Sequence, residues 1–186
     1  RTLVEVAEEI HGPESAQVVT ALYRHAGVLR DLGHVDEAVE VARRAESNAR
    51  LAWGAESIPH STALSILGQA LVDAGHLDEA DATLARALEL RRSQWGDDAV
   101  MVGHVVHSIA RLHLARGEHD AALEQVDGAM ARLREPNEIA MAGCTRVEAL
   151  LGLGRTNDAR DELDDTIAAA TEAVSYTHLR AHETSE

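Results

Sequence analysis

Histidine is the residue type whose number and spacing most clearly invite chemistry in this chain, which has 11 of them among 186 residues. His104 and His107 are three residues apart, so a helix would bring both imidazoles to one face. Two imidazoles can form part of a zinc site, which needs four protein ligands, or three and a water. No nearby cysteine or acidic pair completes the set. We therefore predict no metal site and no cofactor.

The other candidate ligands have structural explanations. His34 and His76 each follow a periodic glycine and are predicted turn residues, whereas His113 and His119 occupy positions filled elsewhere by Leu or Val. Cys144 is the single cysteine, which excludes an internal disulfide, and it lacks a recognisable histidine partner motif. None of these residues predicts a nucleophile or a redox centre.

Motifs of known catalytic sites are also missing. The sequence has no Gly-x-Ser-x-Gly, no phosphate-binding loop with lysine and no His-Glu-x-x-His. Gly152-Leu153-Gly154 resembles the start of a dinucleotide motif, but Asn157 replaces its third glycine and no predicted strand precedes it. The paired carboxylates at Asp97-Asp98 and Asp164-Asp165 are predicted to be solvated. We predict that the chain is not an enzyme and has no catalytic residue.

The charge and composition exclude further classes. The formal net charge is −15, and all 17 basic residues are Arg, so no clustered basic face is expected for nucleic acid. No apolar run approaches the roughly 18 residues of a membrane span, and a cytoplasmic location is the default expectation. Phe is absent, so the core must consist mainly of Ala, Leu, Val and Ile. This Arg- and Ala-rich composition fits a GC-rich, bacterial coding sequence.

One phrase recurs at a fixed distance and organises the chain. It reads Gly-His-Val-Asp-Glu-Ala from Gly33, Gly-His-Leu-Asp-Glu-Ala from Gly75 and Gly-Glu-His-Asp-Ala-Ala from Gly117, so the turn glycines follow a 42-residue period. A looser copy begins at Gly154, after a 37-residue interval. A second signal recurs with the same 42-residue period. It consists of His11-Gly12, Trp53-Gly54 and Trp95-Gly96. A period of this length is typical of a repeat architecture.

Apolar residues at three- and four-residue steps predict a helix on each side of every turn glycine, for example over residues 15–32 and from Asp36-Glu37 towards Trp53. The predicted fold is all-α, a right-handed helical solenoid of about four helix pairs. Residues 1–14 are predicted to end a preceding, truncated repeat. The array follows over residues 15–173, in repeats of about 15–56, 57–98, 99–136 and 137–173. Residues 174–186 have no helical apolar stripe and are predicted to be a disordered or non-native tail.

Small residues recur around each turn glycine: seven before it at Ala26, Gly68 and Ala110, five after it at Ala38, Ala80 and Ala122, and twelve after it at Ala45, Ala87 and Ala129. This pattern resembles the tetratricopeptide repeat. The 42-residue period and the Trp-Gly or His-Gly-Pro-Glu loop resemble the kinesin-light-chain-like subclass. The resemblance covers residues 1–173. The fourth unit departs from it, with Val147 and Thr166 at the small positions.

The resemblance implies a non-catalytic scaffold that binds a peptide or protein on a concave surface lined by the first helix of each pair. By spacing, the candidate partner-binding residues are Tyr23, Arg24, Arg30, Ser65, Gln69, His104, His107 and Arg111. Such side chains can hydrogen-bond an extended peptide and pair with its acidic groups. They can equally be the solvent-facing residues of amphipathic helices. The partner's identity and the oligomeric state are not predicted.

Two departures limit what the resemblance implies. Kinesin-light-chain-like repeats usually carry Asn ten and nine residues before the turn glycine, where this chain has Tyr23-Arg24, Ser65-Ile66, His107-Ser108 and Cys144-Thr145. A lysine clamp for a terminal carboxylate is impossible in a chain without lysine, so neither a cargo nor a chaperone function is carried over. The alternative function is a regulatory segment of a larger bacterial signalling protein, a Ser/Thr kinase or nucleotide-switch ATPase, whose catalytic domain lies outside this fragment.

Overall fold

A computed structural model describes the backbone of residues 2–13 and 15–183, and side chains as far as Thr171. Within these ranges the regular structure is entirely α-helical, which confirms the predicted all-α class. The helices are α1 (Leu3–His11), α2 (Ala16–Asp31), α3 (Val35–Trp53), α4 (Ile58–Asp73), α5 (Leu77–Trp95), α6 (Val100–Ala115), α7 (His119–Met130), α8 (Pro136–Gly152) and α9 (Thr156–Glu183).

The chain divides into two compact units, unit 1 (Arg1–Gly96) and unit 2 (Asp97–Glu186). In unit 1 each helix from α1 to α5 packs on the next, and α2 also contacts α4. In unit 2 each helix from α6 to α9 packs on the next, and α6 also contacts α8. We call α2, α4, α6 and α8 the first helices, and α3, α5, α7 and α9 the second helices.

A glycine in the left-handed region of backbone space ends each first helix. Gly33 and Gly75 have φ values of 77° and 76°, which only glycine adopts at no steric cost. The backbone N–H of the next residue then closes the helix end, as His34 N donates to Leu29 O at 2.8 Å. The recurring phrase is therefore a helix C-cap followed by the start of the second helix.

Serine begins the first helices of unit 1. The side chains of Ser15 and Ser57 accept hydrogen bonds from the backbone N–H groups of Val18 and His60, as N-cap residues do. α2 and α3 start at Ala16 and Val35, within about one residue of the predicted positions. In unit 2, α8 starts at Pro136, because proline fits the first turn of a helix.

The periodic small residues form the contacts between helices of a pair. Ala26, Ala38 and Ala45 are fully buried. At Gly68 an added Cβ would lie 2.5 Å from Leu84 Cδ2, and Leu84 itself is fully buried. The larger leucine on α5 therefore requires the missing side chain on α4, and close helix approach is built into the period.

The last helix differs from its prediction. α9 continues to Glu183, whereas the sequence pattern predicted that order ends near residue 173 and that residues 174–186 form a tail. The physical reason is that neither glycine nor proline occurs between Gly154 and Glu183, so nothing local ends the helix. Residues 184–186 lie outside the described residues. The repeat boundaries, the truncated first repeat and the non-native origin of the tail stay predictions.

Candidate functional site

Tyr23 ties α2 to α4 in unit 1. Its hydroxyl donates to the backbone carbonyl of Pro59 at 2.7 Å, and its ring packs against the buried cluster of Val19, Ala49 and Ala63. Burial raises the pKa of the Tyr23 phenol to about 12, so the hydroxyl keeps its proton and remains a donor. The residue predicted to grip a partner thus holds two first helices together.

Arg30 makes a second tie between the same helices. Its Nε donates to Asp73 Oδ2 at 2.6 Å, and its Nη1 donates to Gln69 Oε1 at 2.7 Å. The side chains of Arg30 and Asp73 are only 18% and 16% exposed, where a charged hydrogen bond is stronger than it would be in water. Two predicted site residues, Arg30 and Gln69, are therefore brought into direct contact.

The two other predicted residues of unit 1 lie in different surroundings. Ser65 is buried, and its hydroxyl donates to the backbone carbonyl of Ser61 at 3.0 Å within α4. This back-bonding satisfies the hydroxyl inside the helix. Arg24 is exposed and lines a groove between α1 and α2. The structure does not bring these two residues together.

In unit 2, two histidine side chains make the corresponding hydrogen bonds between first helices. His104 Nε2 lies 2.8 Å from Glu138 Oε1, and His107 Nε2 lies 2.9 Å from Thr145 Oγ1. Both bonds join α6 to α8. Thr145 Oγ1 donates to the Met141 carbonyl at 3.3 Å, so it accepts from His107 Nε2–H. That assigns the Nε2 tautomer to a neutral His107.

The electrostatic surroundings of His107 oppose its protonation. Burial lowers the pKa of His107 to about 4, and the neighbouring Arg111 and His104 also act to lower it. His107 is therefore neutral at physiological pH. Arg111, itself half-buried, thus lies within electrostatic range of His107, and these two predicted site residues share one environment.

Sequence spacing located side chains on the first helices but missed what those side chains contact. The partners Pro59, Asp73, Glu138 and Thr145 were not singled out. Each lies 34 to 43 residues after the side chain that it binds, which is close to one repeat. The period points to the neighbouring first helix but not to the residue on it that makes the bond. A role of the eight predicted residues in binding a partner stays a prediction.

His60 is a buried imidazole that the sequence analysis did not single out. It is 4% exposed, with Nδ1 2.7 Å from the Ala55 carbonyl and Nε2 2.8 Å from Glu46 Oε1. A carbonyl and a carboxylate both accept hydrogen bonds. Both bonds therefore form together only when both ring nitrogens of His60 carry protons, and they then fix the loop between α3 and α4.

The part of the chain that the structure describes contains no assembled metal site. No group of three or more His, Cys, Asp or Glu side chains there is placed to hold an ion. His104 and His107 are bonded to residues of α8 instead. Among the described residues, no helix is both long enough and apolar enough to cross a bilayer.

The repeated helix pairs match a known protein family. The tetratricopeptide-repeat family model matches residues 19–44, 61–86 and 109–128, and the first two matches are offset by the same interval as the turn glycines. The matched residues therefore contain tetratricopeptide repeats, and the fold is an all-α helical-repeat solenoid, as predicted. No curated protein matches it.

Solved structures add a likeness in fold. BtubC (BKLC) from P. vanneervenii has a TM-score of 0.68 at 17% identity, covering 84% of this chain and 64% of that one, so this chain spans less than two thirds of its length. The putative kinesin light chain of Podosopora anserina, with nearly identical TPR-like repeats, has a TM-score of 0.62 at 18% identity, covering 91% and 82%. Its Q17M form gives 0.64 at 18%, covering 92% and 84%. The repeats are thus kinesin-light-chain-like in fold, which confirms the predicted resemblance.

Proposed function

We propose that this chain is a non-catalytic scaffold that binds a peptide or protein partner on the face formed by its first helices. The repeat class supports an interaction role, although fold alone does not give function. The proposed face is defined in unit 1 by the partly exposed residues Arg30, Ile66 and Gln69. In unit 2 it is defined by His104 and Arg111, which are also partly exposed.

The observation that carries the proposal is that polar groups on this face are held in fixed positions. Arg30 is anchored by Asp73 and Gln69 and still keeps part of its surface exposed to solvent. An anchored side chain loses little conformational freedom when a ligand arrives, so binding costs less entropy. A guanidinium has five N–H donors, and these two bonds use two of them. The same side chain can therefore bind a carboxylate or carbonyl of a partner.

Site-specific photocrosslinking tests the proposed face. A photoreactive amino acid is placed at Ile66 of α4 or Met141 of α8, both on first helices and both accessible to solvent. Matched control positions are Ala85 of α5 and Glu124 of α7, which are exposed on second helices. Circular dichroism confirms that each variant is folded.

The proposal expects one and the same partner adduct from positions 66 and 141 in a lysate of the source cells. Positions 85 and 124 are expected to give none. An adduct that forms only from the second-helix positions, or equally from all four, would place binding elsewhere and contradict the proposal. Substituting Arg111 by Glu should reduce the adduct, because the added negative charge would repel an acidic partner.

A further inference from the structure

A hydrogen-bonded pair of polar side chains lies inside the contact between α3 and α4 in unit 1. His60 of α4 is 4% exposed, and its Nε2 lies 2.8 Å from Oε1 of Glu46 on α3. The Glu46 side chain is itself only 22% exposed. Arg50, which is exposed, lies farther away, with its Nε 3.5 Å from the same oxygen. We call the two residues the Glu46–His60 pair.

The imidazole of His60 is oriented from its own side of the contact. Its Nδ1 lies 2.7 Å from the carbonyl of Ala55, in the loop that precedes α4. The backbone N–H of His60 also donates to Ser57 Oγ at the start of the helix. These bonds direct Nε2 towards α3. The pair is therefore preorganised, and its second half depends on the side chain that α3 presents.

The equivalent positions of the neighbouring repeats are apolar. One period earlier they are Val4 of α1 and Val18 of α2, which are both buried and belong to one hydrophobic cluster. One period later they are Leu88 and Val102. Two aliphatic side chains therefore satisfy the packing at this point of the repeat. Burying a polar pair there costs desolvation that the neighbouring repeats avoid, so the pair requires an explanation other than packing.

The small residues around the pair do not distinguish one first helix from another. Ala7 and Ala21 are buried in the contact of α1 with α2, and Ala49 and Ala63, one period later, are buried in the contact of α3 with α4. Alanine occupies the same places in both contacts, so it allows either first helix to approach either second helix equally closely. With these alanines alone, the array would tolerate an exchange of α2 and α4.

A buried polar pair penalises a wrong neighbour more than it stabilises the right one. Replacing both members of such a pair by aliphatic residues is often neutral or even stabilising, whereas removing one member leaves the other buried without a partner. If α2 packed on α3, Glu46 would face Val18. If α4 packed on α1, His60 would face Val4. Both exchanges bury one member alone, and only the contact of α3 with α4 satisfies both members.

We propose that the Glu46–His60 pair sets the register of the array. It specifies that α3 packs on α4, and it excludes from that contact the first helices of other repeats, whether they belong to the same chain or to a second copy. This role concerns the assembly of the helices and goes beyond holding the loop between α3 and α4. It does not depend on the partner-binding function proposed for the first-helix face.

The first measurement is a double-mutant cycle in urea, followed by tryptophan fluorescence. H60V leaves Glu46 opposite a valine, as a wrong first helix would, and E46V does the same to His60. We expect each single substitution to raise the equilibrium constant of unfolding by roughly tenfold or more. For E46V/H60V, which copies Val4 and Val18, we expect a constant within about threefold of the wild-type value. E46L/H60V is a second double variant, in case valine is too small to fill the space at position 46.

The second measurement reads the register itself. Trp53 is the last residue of α3, so its indole environment depends on the first helix that packs there. The proton–nitrogen NMR spectrum of the refolded wild-type chain should contain two indole signals, one for each tryptophan of the sequence. Refolded E46V/H60V should show additional Trp53 signals, because α3 then accepts more than one neighbour. Light scattering at two protein concentrations assigns the extra signals to a second copy or to the same chain, and either assignment supports the proposal.

The matched control is R43V/E79V. It replaces an ion pair between α3 and α5 whose members are each 42% exposed, and it introduces the same number of valines. We expect it to keep one indole signal for each tryptophan. The Trp53 signal is assigned by its loss in the Trp53→Phe variant.

Three results would overturn the proposal. The first is a double variant that is destabilised by the sum of the single effects, because the pair would then act only as a stabilising contact. Failure of both double variants to fold counts as this result. The second is a double variant of wild-type stability with one indole signal for each tryptophan, since the register would then not depend on the pair. The third is the appearance of extra signals in R43V/E79V as well, because added valines at any site would then produce them.

Discussion

In unit 1 the bonds between successive first helices come from a phenol and a guanidinium, whereas in unit 2 they come from two imidazoles. Tyr23 keeps its proton throughout the physiological range, because burial raises its pKa to about 12. His107 is an imidazole, the side chain whose ordinary pKa is nearest to neutrality, and burial lowers its pKa to about 4. Equivalent helix contacts in one array are thus made with chemistry of different pH sensitivity. We expect the two units to respond differently to substitution and to acid.

The unfolding of the two units can be followed by different optical signals, because both tryptophans of the chain, Trp53 and Trp95, lie in unit 1. Tryptophan fluorescence therefore follows the unfolding of unit 1, and circular dichroism follows the helices of both units. A substitution in unit 1 should shift the fluorescence transition. One in unit 2 should shift only the dichroism transition if the units unfold separately.

The largest expected effect is that of Arg30→Ala. It removes the cation that neutralises the poorly exposed Asp73 carboxylate and the donor to Gln69. We expect the free energy of unfolding to fall by about 2–3 kcal/mol. The measurement is a urea titration followed by tryptophan fluorescence. The control is Arg43→Ala, which breaks an ion pair with Glu79 that is 42% exposed on both sides and should cost less than about 1 kcal/mol. Equal losses of unfolding free energy in the two variants would contradict the claim that the bonds of Arg30 stabilise the contact between α2 and α4.

Acidification tests the imidazole ties of unit 2. The folded chain holds the pKa of His107 at about 4, below the value of about 6.5 for an unfolded chain. The unfolded state therefore takes up the proton first, so the stability is fully present above pH 6.5 and is lost as pH falls towards 4. Between pH 7 and pH 5 we expect this group to lower the free energy of unfolding by about 1–2 kcal/mol.

Urea titrations followed by circular dichroism at both pH values measure that loss. His107→Gln is the control, because its amide can still donate to Thr145 Oγ1 but does not titrate. The loss attributed to His107 is the difference between the wild-type chain and this variant. A pH response that is the same in both proteins would rule out His107 as its source.

A smaller effect is expected for Tyr23→Phe. The ring still packs on Val19 and Ala63, but the Pro59 carbonyl loses its donor. We expect a loss of about 1 kcal/mol, the usual value of one hydrogen bond, in the fluorescence transition. Tyr23→Leu should cost more, since the ring contacts are lost as well. If Phe and Leu cost the same, the hydroxyl and not the ring would be the stabilising group.

The smallest effect is expected for His104→Gln. The His104–Glu138 pair is 33% and 25% exposed, and glutamine can still donate to the carboxylate. We expect a change of less than about 0.5 kcal/mol in the dichroism transition. A loss larger than that of Tyr23→Phe would show that this pair is more important to unit 2 than its exposure indicates.

The fold was predictable because it depends on local signals that repeat. A turn glycine, small residues at fixed distances from it and an apolar stripe specify each helix pair, and three copies in register define the class. The partners of Tyr23 and Arg30 were not predicted, because helix periodicity gives the face of a residue but not the neighbour that it meets one repeat later. The extent of α9 was missed for another reason: helix can continue without an apolar stripe when no glycine or proline ends it.

The sequence predicted which helices carry the candidate site residues, but it did not predict the contacts of those residues. Spacing placed Tyr23, Gln69 and His107 on first helices, but it could not show that their polar groups bond to adjacent first helices. Ser65 shows the limit most clearly, because its hydroxyl is satisfied inside its own helix.

The turn glycines also set how the gene can change in length. Gly33, Gly75 and Gly117 share one backbone conformation, with φ values of 77°, 76° and 74°, and they are evenly spaced along the sequence. An in-frame duplication or loss of one full period of codons within this region leaves every remaining helix with its own cap. The interval to Gly154 is shorter by more than one helical turn. Recombination can therefore add or remove whole repeats in the first part of the array, which makes repeat number a trait that selection can act on.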